Sequence, residues 1–263
     1  MKKITVLWLA LLFTGPAFAL PYFHVVSTGM VYNGPSLGTQ LPCVVKAANG
    51  DLLVQFNSGK DQWPGSTAYL TRSTDEGVTW SAPQVIIQST IPVAEGGSIH
   101  TNIGMTVLSN GDIILPFTHG VLKDGWQGGG HTGQLWVRTY VIISHDNGYT
   151  WTPWINANSM EGHQSSAYGR IVEMPNGNLL FPVWAFYSWA SPANFPSSAH
   201  SGYVTSADGG LTWGAGSGFV EVGPYGETSI MHLGNGGMTM LAAGKRNGSN
   251  PITRIVRSDN DGF

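Results

Sequence analysis

Two charged residues stand in otherwise uncharged, strand-like surroundings: Glu227 in GETSIMHLG and Arg246 in LAAGKRNG. A carboxylate in such a setting suits glycoside cleavage, which commonly uses two acidic groups flanking the scissile bond, one of them with a raised pKa. Glu227 with Asp61 or Asp124 could form such a set, and Arg246 could hold a substrate carboxylate in a bidentate fork. Gln40, His100, Asn102, Tyr168 and Trp184 add the amide, imidazole and ring chemistry that grips a sugar. Each also has a plainer reading. Asp61 and Asp124 lie in Gly- and Pro-containing loops, where Asp often only makes a turn. A lone His such as His100 or His119 is more often a hydrogen-bonded structural residue, and Trp184 and Tyr187 suit a core as well as a stacking platform. No His-x-His or His-Glu-x-x-His spacing is present, so neither a metal nor another cofactor is expected.

What must position these residues is a repeat. The octet STDEGVTW at 73–80 returns as SHDNGYTW at 144–151 and SADGGLTW at 206–213, and SDNDGF at 258–263 begins a fourth. Its form is Ser-x-Asp-x-Gly-x-Thr-Trp, and repeats of this kind define architecture before anything else. In a tight turn the Asp side chain (Asp75, Asp146, Asp208) accepts hydrogen bonds from backbone N–H groups, closing the loop on itself. The Gly (Gly77, Gly148, Gly210) supplies a backbone conformation denied to other residues. The Thr hydroxyl ties the returning strand, and the Trp (Trp80, Trp151, Trp213) packs between neighbouring strands. A calcium loop is the functional alternative, but the octet holds too few oxygen ligands. The octets are structural.

A second signal runs beside the first. Asn-Gly pairs at 49–50, 110–111, 176–177 and 235–236 follow at spacings of 61, 66 and 59 residues, each between apolar runs. Asn-Gly in that position marks a hairpin. One unit of roughly 60 residues has the size of a four-stranded propeller blade. In the first unit the expected strands are Leu41–Ala48, Asp51–Phe56, Thr67–Arg72 and Gln84–Gln88. Successive strands of such a meander alternate in direction, so the Asn-Gly turns and the octets share one rim. The opposite face, near the axis, is then the natural concave site. The beginnings of the first strands place Gln40, His100 to Asn102, Ser166 to Tyr168 and Gly226-Glu227 there. The ends of the second strands and their loops add Asp61, His119, Asp124, Trp184, Tyr187, Lys245 and Arg246.

Composition narrows the class further. Charged residues make up 10% of the 263 residues, and the net charge is −3 with no basic run, which excludes a nucleic-acid footprint. Lys2 and Lys3, the apolar run from Ile4 to Phe13 and the small-x-small Ala17-Phe18-Ala19 read as a signal peptide cleaved after Ala19. That predicts a secreted or periplasmic protein whose mature domain spans 20–263, with no later segment able to span a membrane. Cys43 is the one cysteine, so no internal disulfide forms.

The octet resembles the Asp-box, or BNR repeat, of the sialidase (neuraminidase) superfamily, whose fold is a six-bladed β-propeller. QLPCVVKAANGDLLVQF is similar to the first-blade Arg-Ile-Pro segment of that family, and YGRIVEMPNGNLLFPV to a third-blade strand pair. GETSIMHLGNGGMTMLAAGKRNG resembles the blade with the catalytic Glu and one of three carboxylate-binding arginines. The resemblance implies an all-β propeller with about four of its blades in this chain, incomplete at the C-terminus. It also implies a retaining exo-α-sialidase acting on terminal sugars of glycans. Glu227 would activate a Tyr nucleophile expected beyond Phe263, Asp61 would be the acid/base, and Arg246 would bind the sugar carboxylate. Gln40 stands where the family has its first arginine, and an amide provides no charged fork. Two other readings therefore stay open: a non-catalytic propeller that binds glycan or protein, and a hydrolase or lyase for a neutral sugar on the same scaffold.

Overall fold

The computed structural model describes residues 28–32, 38–59, 64–101, 104–122, 134–157, 164–186, 199–214, 218–221, 225–234, 240–246 and 253–258. The chain divides into Met1–Met30 and Val31–Phe263. Of the first unit only residues 28–30 are described, without regular structure, and the expected signal peptide lies outside them.

The second unit is four antiparallel sheets in chain order. The first blade pairs β1 (Thr39–Lys46), β2 (Leu52–Ser58), β3 (Ala68–Ser73) and β4 (Gln84–Ile87) in that order. The second has β5 (Gly97–His100) and β6 (Thr106–Val107) as a divided inner strand, then β7 (Ile113–Leu122), β8 (Gln134–Ser144) and β9 (Ile155–Asn156). The third repeats this with β10 (Gln164–Ala167), β11 (Val172–Glu173), β12 (Leu179–Phe186), β13 (Ala199–Ser206) and β14 (Gly218–Glu221). The fourth shows β15 (Tyr225–His232), β16 (Met240–Arg246) and β17 (Thr253–Ser258). Among the described residues the one helical turn is the 3-10 segment Val93–Glu95, and no helix is long and apolar enough to cross a membrane. The meander and its blade period are as the octets imply. The first strand differs from expectation, beginning at Thr39 rather than Leu41.

The apolar core lies between blades rather than within any one of them. Alternation along β7 explains this, because successive side chains leave opposite faces of a strand. Ile113, Leu115 and Phe117 meet Leu53, Leu70 and Cys43 of the first blade, while Ile114 meets Leu179, Phe181 and Val204 of the third. Met174 and Leu180 then meet Ile230 of the fourth. Each blade is thus the other half of its neighbour's core.

The octets fasten this stack. In each, the Asp carboxylate accepts from the Thr backbone and hydroxyl four residues on: 2.8 and 2.5 Å for Asp75 with Thr79, 2.8 and 2.6 Å for Asp146 with Thr150, 2.9 and 2.6 Å for Asp208 with Thr212. The Thr hydroxyl therefore closes the turn itself and does not tie the returning strand, a correction to the sequence expectation. The Ser hydroxyl donates to the same Asp and accepts from the Gly N–H, as Ser144 does with Asp146 and Gly148 at 2.8 and 2.7 Å. Gly148 and Gly210 take φ of 82° and 97°. The octets and Asn-Gly turns do share a rim: the Asn49 N–H donates to Asn147 Oδ1 at 3.1 Å, joining the first hairpin to the second octet. Arg72 strengthens the seam, donating to Asp51 at 2.6 Å and to the Asn147 carbonyl at 2.7 Å while stacking on Tyr149.

Candidate functional site

On the face opposite the octets, every inner strand breaks its ladder partway along. Between Gln40 and Cys43 the register slips, so Leu41 and Pro42 face Phe56 alone, and Leu41 takes φ of 53°. Between Gly226 and Ser229 the same slip sets Glu227 and Thr228 against Gly244. These are β-bulges, which re-aim a strand at the point where they occur. In the second and third blades the break is wider, falling after His100 and after Ala167.

Proline explains the wider breaks. Pro116 and Pro182 occupy the middle of β7 and β12, where a missing N–H would normally cost a ladder bond. The Tyr168 N–H reaches the Pro182 carbonyl at 3.3 Å, so that residue's polar edge faces the inner strand. The inner strand arches away there, and no donor is missed. Glycine permits the arch: a Cβ on Gly104 would lie 2.6 Å from the Pro116 ring, and one on Gly169 would lie 3.3 Å from the Thr228 carbonyl. The arches of the second and third blades and the bulge of the fourth thus stand side by side, each preceded by a segment of inner strand.

Those segments are polar and uncharged up to Glu227. Gln40 donates through Nε2 to the Gly59 carbonyl at 2.8 Å. His100 is buried, its Nε2 2.9 Å from Ser98 Oγ. Thr118 Oγ1 meets Ser166 Oγ at 3.1 Å and accepts from the Ala167 N–H at 2.8 Å, while Thr139 and Ser165 pair at 2.7 Å. Between the first two blades, Asn57 donates to the Ile99 carbonyl at 2.9 Å and accepts from the Thr101 hydroxyl, with Gln55 Nε2 bonded to the same hydroxyl. Asn57 also pairs with Gln40 across the strands, so it braces both sides of His100 from the strand next to the one that carries Gln40. Gln55 Oε1 is buried without a hydrogen-bond partner.

The sequence candidates divide accordingly. Gln40, His100, Tyr168 and Glu227 lie on inner strands at or beside the breaks, with Glu227 in the bulge itself. Trp184 pairs with Ser166 on one side and Ser201 on the other, and Arg246 ends β16 opposite Tyr225. For Glu227, Trp184 and Arg246 the backbone alone is described, and Asp61, Asn102, Asp124 and Tyr187 lie outside the described residues. His119 belongs elsewhere: it faces the first blade, 2.9 Å from Ser89 Oγ and edge-on to Trp154, and burial lowers its pKa to about 4. Two residues escaped the sequence reading. Asn57 carries no motif, and Arg170 is a lone charge between QSSAYG and IV whose guanidinium reaches the first blade.

Comparison with known proteins bears on the whole arrangement. Residues 24–153 match the BNR repeat-like domain family. A sialidase of Bacteroides fragilis (strain YCH46) is 26% identical over 209 residues, covering 72% of this chain and 37% of its own length. The chain therefore spans little over a third of that relative. Among solved structures, a protein of unknown function from Dyadobacter fermentans DSM 18053 superposes with a TM-score of 0.70 at 21% identity, covering 88% of this chain and 68% of that one. The Hadza microbial sialidase Hz136 superposes with a TM-score of 0.60 at 17% identity, covering 85% of this chain and 45% of that one. At these identities the structural likeness establishes the fold.

Proposed function

We propose that this chain, which matches the BNR repeat-like domain family over residues 24–153 and resembles a sialidase at 26% identity, is a β-propeller of the sialidase superfamily that processes glycans as a sialidase-like glycoside hydrolase. It is exported and removes terminal sugars with retention of configuration. Glu227 acts in proton transfer at the reacting centre, Asp61 serves as its acid/base counterpart, and Arg246 with the inner-strand amides and hydroxyls holds the sugar. The observation that carries this reading is the position of Glu227. It is the acidic residue within an inner-strand break, on a face otherwise lined by Gln40, Ser98, His100, Ser165 and Ser166. A carboxylate is a suitable proton carrier for such a cleavage.

One observation favours a second reading. The Gln40 amide is already committed to the Gly59 carbonyl, so this position offers no charged fork. That fits a hydrolase or lyase for a different sugar, or a propeller that binds glycan without cleaving it. Release of a fluorophore from a sialoside by the protein, and its loss in Glu227→Ala at unchanged Tm, is the expected result. Turnover that survives Glu227→Ala would sink the catalytic assignment. Sugar binding without turnover would favour the second reading.

A further inference from the structure

The Asn-Gly hairpin tips of the first three blades share one frame. In each the glycine N–H donates to a carbonyl three residues back, Gly50 to Ala47 at 2.9 Å, Gly111 to Leu108 at 2.9 Å and Gly177 to Met174 at 2.8 Å. In each the asparagine Oδ1 accepts from the N–H two residues on, at 3.1, 2.9 and 3.0 Å. The residue after the glycine differs: it is Asp51 in the first tip, Asp112 in the second and Asn178 in the third.

That difference decides how firmly each tip is held. The Asp51 and Asp112 carboxylates accept from Asn49 Nδ2 and Asn110 Nδ2, both at 2.8 Å. Asp51 also pairs with Arg72 at 2.6 Å, and Asp112 lies 2.9 Å from His145 Nδ1. Both tips are pinned to the next blade as well. The Asn49 N–H reaches Asn147, and Ser109 makes two 2.6 Å bonds to the Glu173 carboxylate. The third tip has no counterpart to these ties. Among the described residues none accepts from Asn176 Nδ2, and no hydrogen bond joins residues 175–178 to a neighbouring blade. Asn176 and Gly177 are both exposed.

We propose that Asn176-Gly177 is a site of spontaneous covalent modification, where the asparagine converts through a succinimide to aspartyl and isoaspartyl residues. The Gly177 nitrogen loses its proton to hydroxide and bonds to the Asn176 side-chain carbonyl carbon. The Cγ–Nδ2 bond breaks, and the departing nitrogen takes a proton from water to leave as ammonia. Water then opens the ring at either carbonyl, so the net change is one water consumed and one ammonia released. For the attack the glycine nitrogen must leave the Met174 carbonyl, so the reaction draws on local opening of the tip. The ties at the first two tips oppose that opening, and their carboxylates repel the negative charge that gathers on the attacked carbonyl. The isoaspartyl product adds a carbon to the main chain of a turn that Met174 closes with two bonds, and Met174 packs on Leu180 and Ile230. A change at one exposed amide is thereby passed to the core between the third and fourth blades.

Peptide mapping by mass spectrometry tests this on the full chain, held in mildly alkaline buffer and sampled over days. It reads conversion at Asn49, Asn110 and Asn176 side by side. Asn176 is expected to convert at least about fivefold faster than either of the others, the factor that one missing hydrogen bond supplies. Asn178→Asp, which gives the third tip the carboxylate of the other two, should slow conversion at Asn176. In the urea-unfolded chain the three rates should draw together. Equal rates in the folded wild type overturn the proposal, and so does an Asn178→Asp protein that converts Asn176 as fast as the wild type. An order that persists unchanged in urea overturns it too, because the fold then has no part in it.

Discussion

Gly148 of the second octet rests on Leu53 of the first blade so closely that a Cβ at Gly148 would lie 2.9 Å from Leu53 Cδ1. Gly210 stands in the same relation to Ile114 of the second blade, also at 2.9 Å. The octet glycine is therefore a contact between blades as well as a turn residue. Gly177 separates the two roles, having φ of 84° but nothing within 4 Å of an added Cβ. Gly177→Ala should cost about 1 kcal/mol from the left-handed backbone alone. Gly148→Ala adds the clash and should cost about 1–3 kcal/mol more. Urea unfolding of the two variants checks the order, and equal losses would show that the contact between blades is immaterial.

The octet carboxylates make the fold sensitive to acid. Hydrogen bonds from Thr79 hold the Asp75 pKa at about 2, and those from Thr150 do the same for Asp146. Asp208 is also lowered: burial pushes it up, and Thr212 and Ser206 outweigh that. A carboxyl whose folded pKa lies below its unfolded value of 3.8 contributes stability that is complete above that value. The contribution is lost as pH falls from about 4 toward about 2. Thermal melts from pH 6 to pH 2 should show Tm falling across that window in the wild type. Asp146→Asn should start lower at pH 6 and fall less steeply, with ligand affinity nearly unchanged.

Asn57 is the brace between the first two blades. Its side chain holds Ile99 and Thr101 on either side of His100. Removing it leaves the buried Ile99 carbonyl and Thr101 hydroxyl short of a partner, a loss of about 1–3 kcal/mol. Asn57→Ala should lower Tm and, in the protein that binds a glycan, weaken affinity more than Ser81→Ala, which lies on the octet side. A Tm loss without any change in affinity would make the brace purely structural.

The blades were legible because each announces itself twice, by Asn-Gly and by the octet, and turn chemistry is local. The all-β propeller follows from that, and so does the rim shared by Asn49 and Asn147. Strand limits near the turns were close, as with Gln84–Ile87 against Gln84–Gln88. What was not legible depends on partners far along the chain. A proline inside a strand run argues locally against a central strand, yet the missing donors of Pro116 and Pro182 coincide with breaks in the neighbouring inner strands. His119 read as a second-strand end facing the site, and the parity of β7 turns it toward Trp154 instead. Arg170 had no motif, since its partners lie 126 and 127 residues away in the chain.

The arches at Gly104 and Gly169 have a consequence for what the channel can admit. A straight inner edge would offer a continuous row of N–H and C=O groups, a template on which an extended polypeptide zips into place. Here that row is interrupted in every blade, and in two of them by proline-matched gaps. An inner edge interrupted in this way offers no continuous ladder to an added strand, from another molecule or another copy.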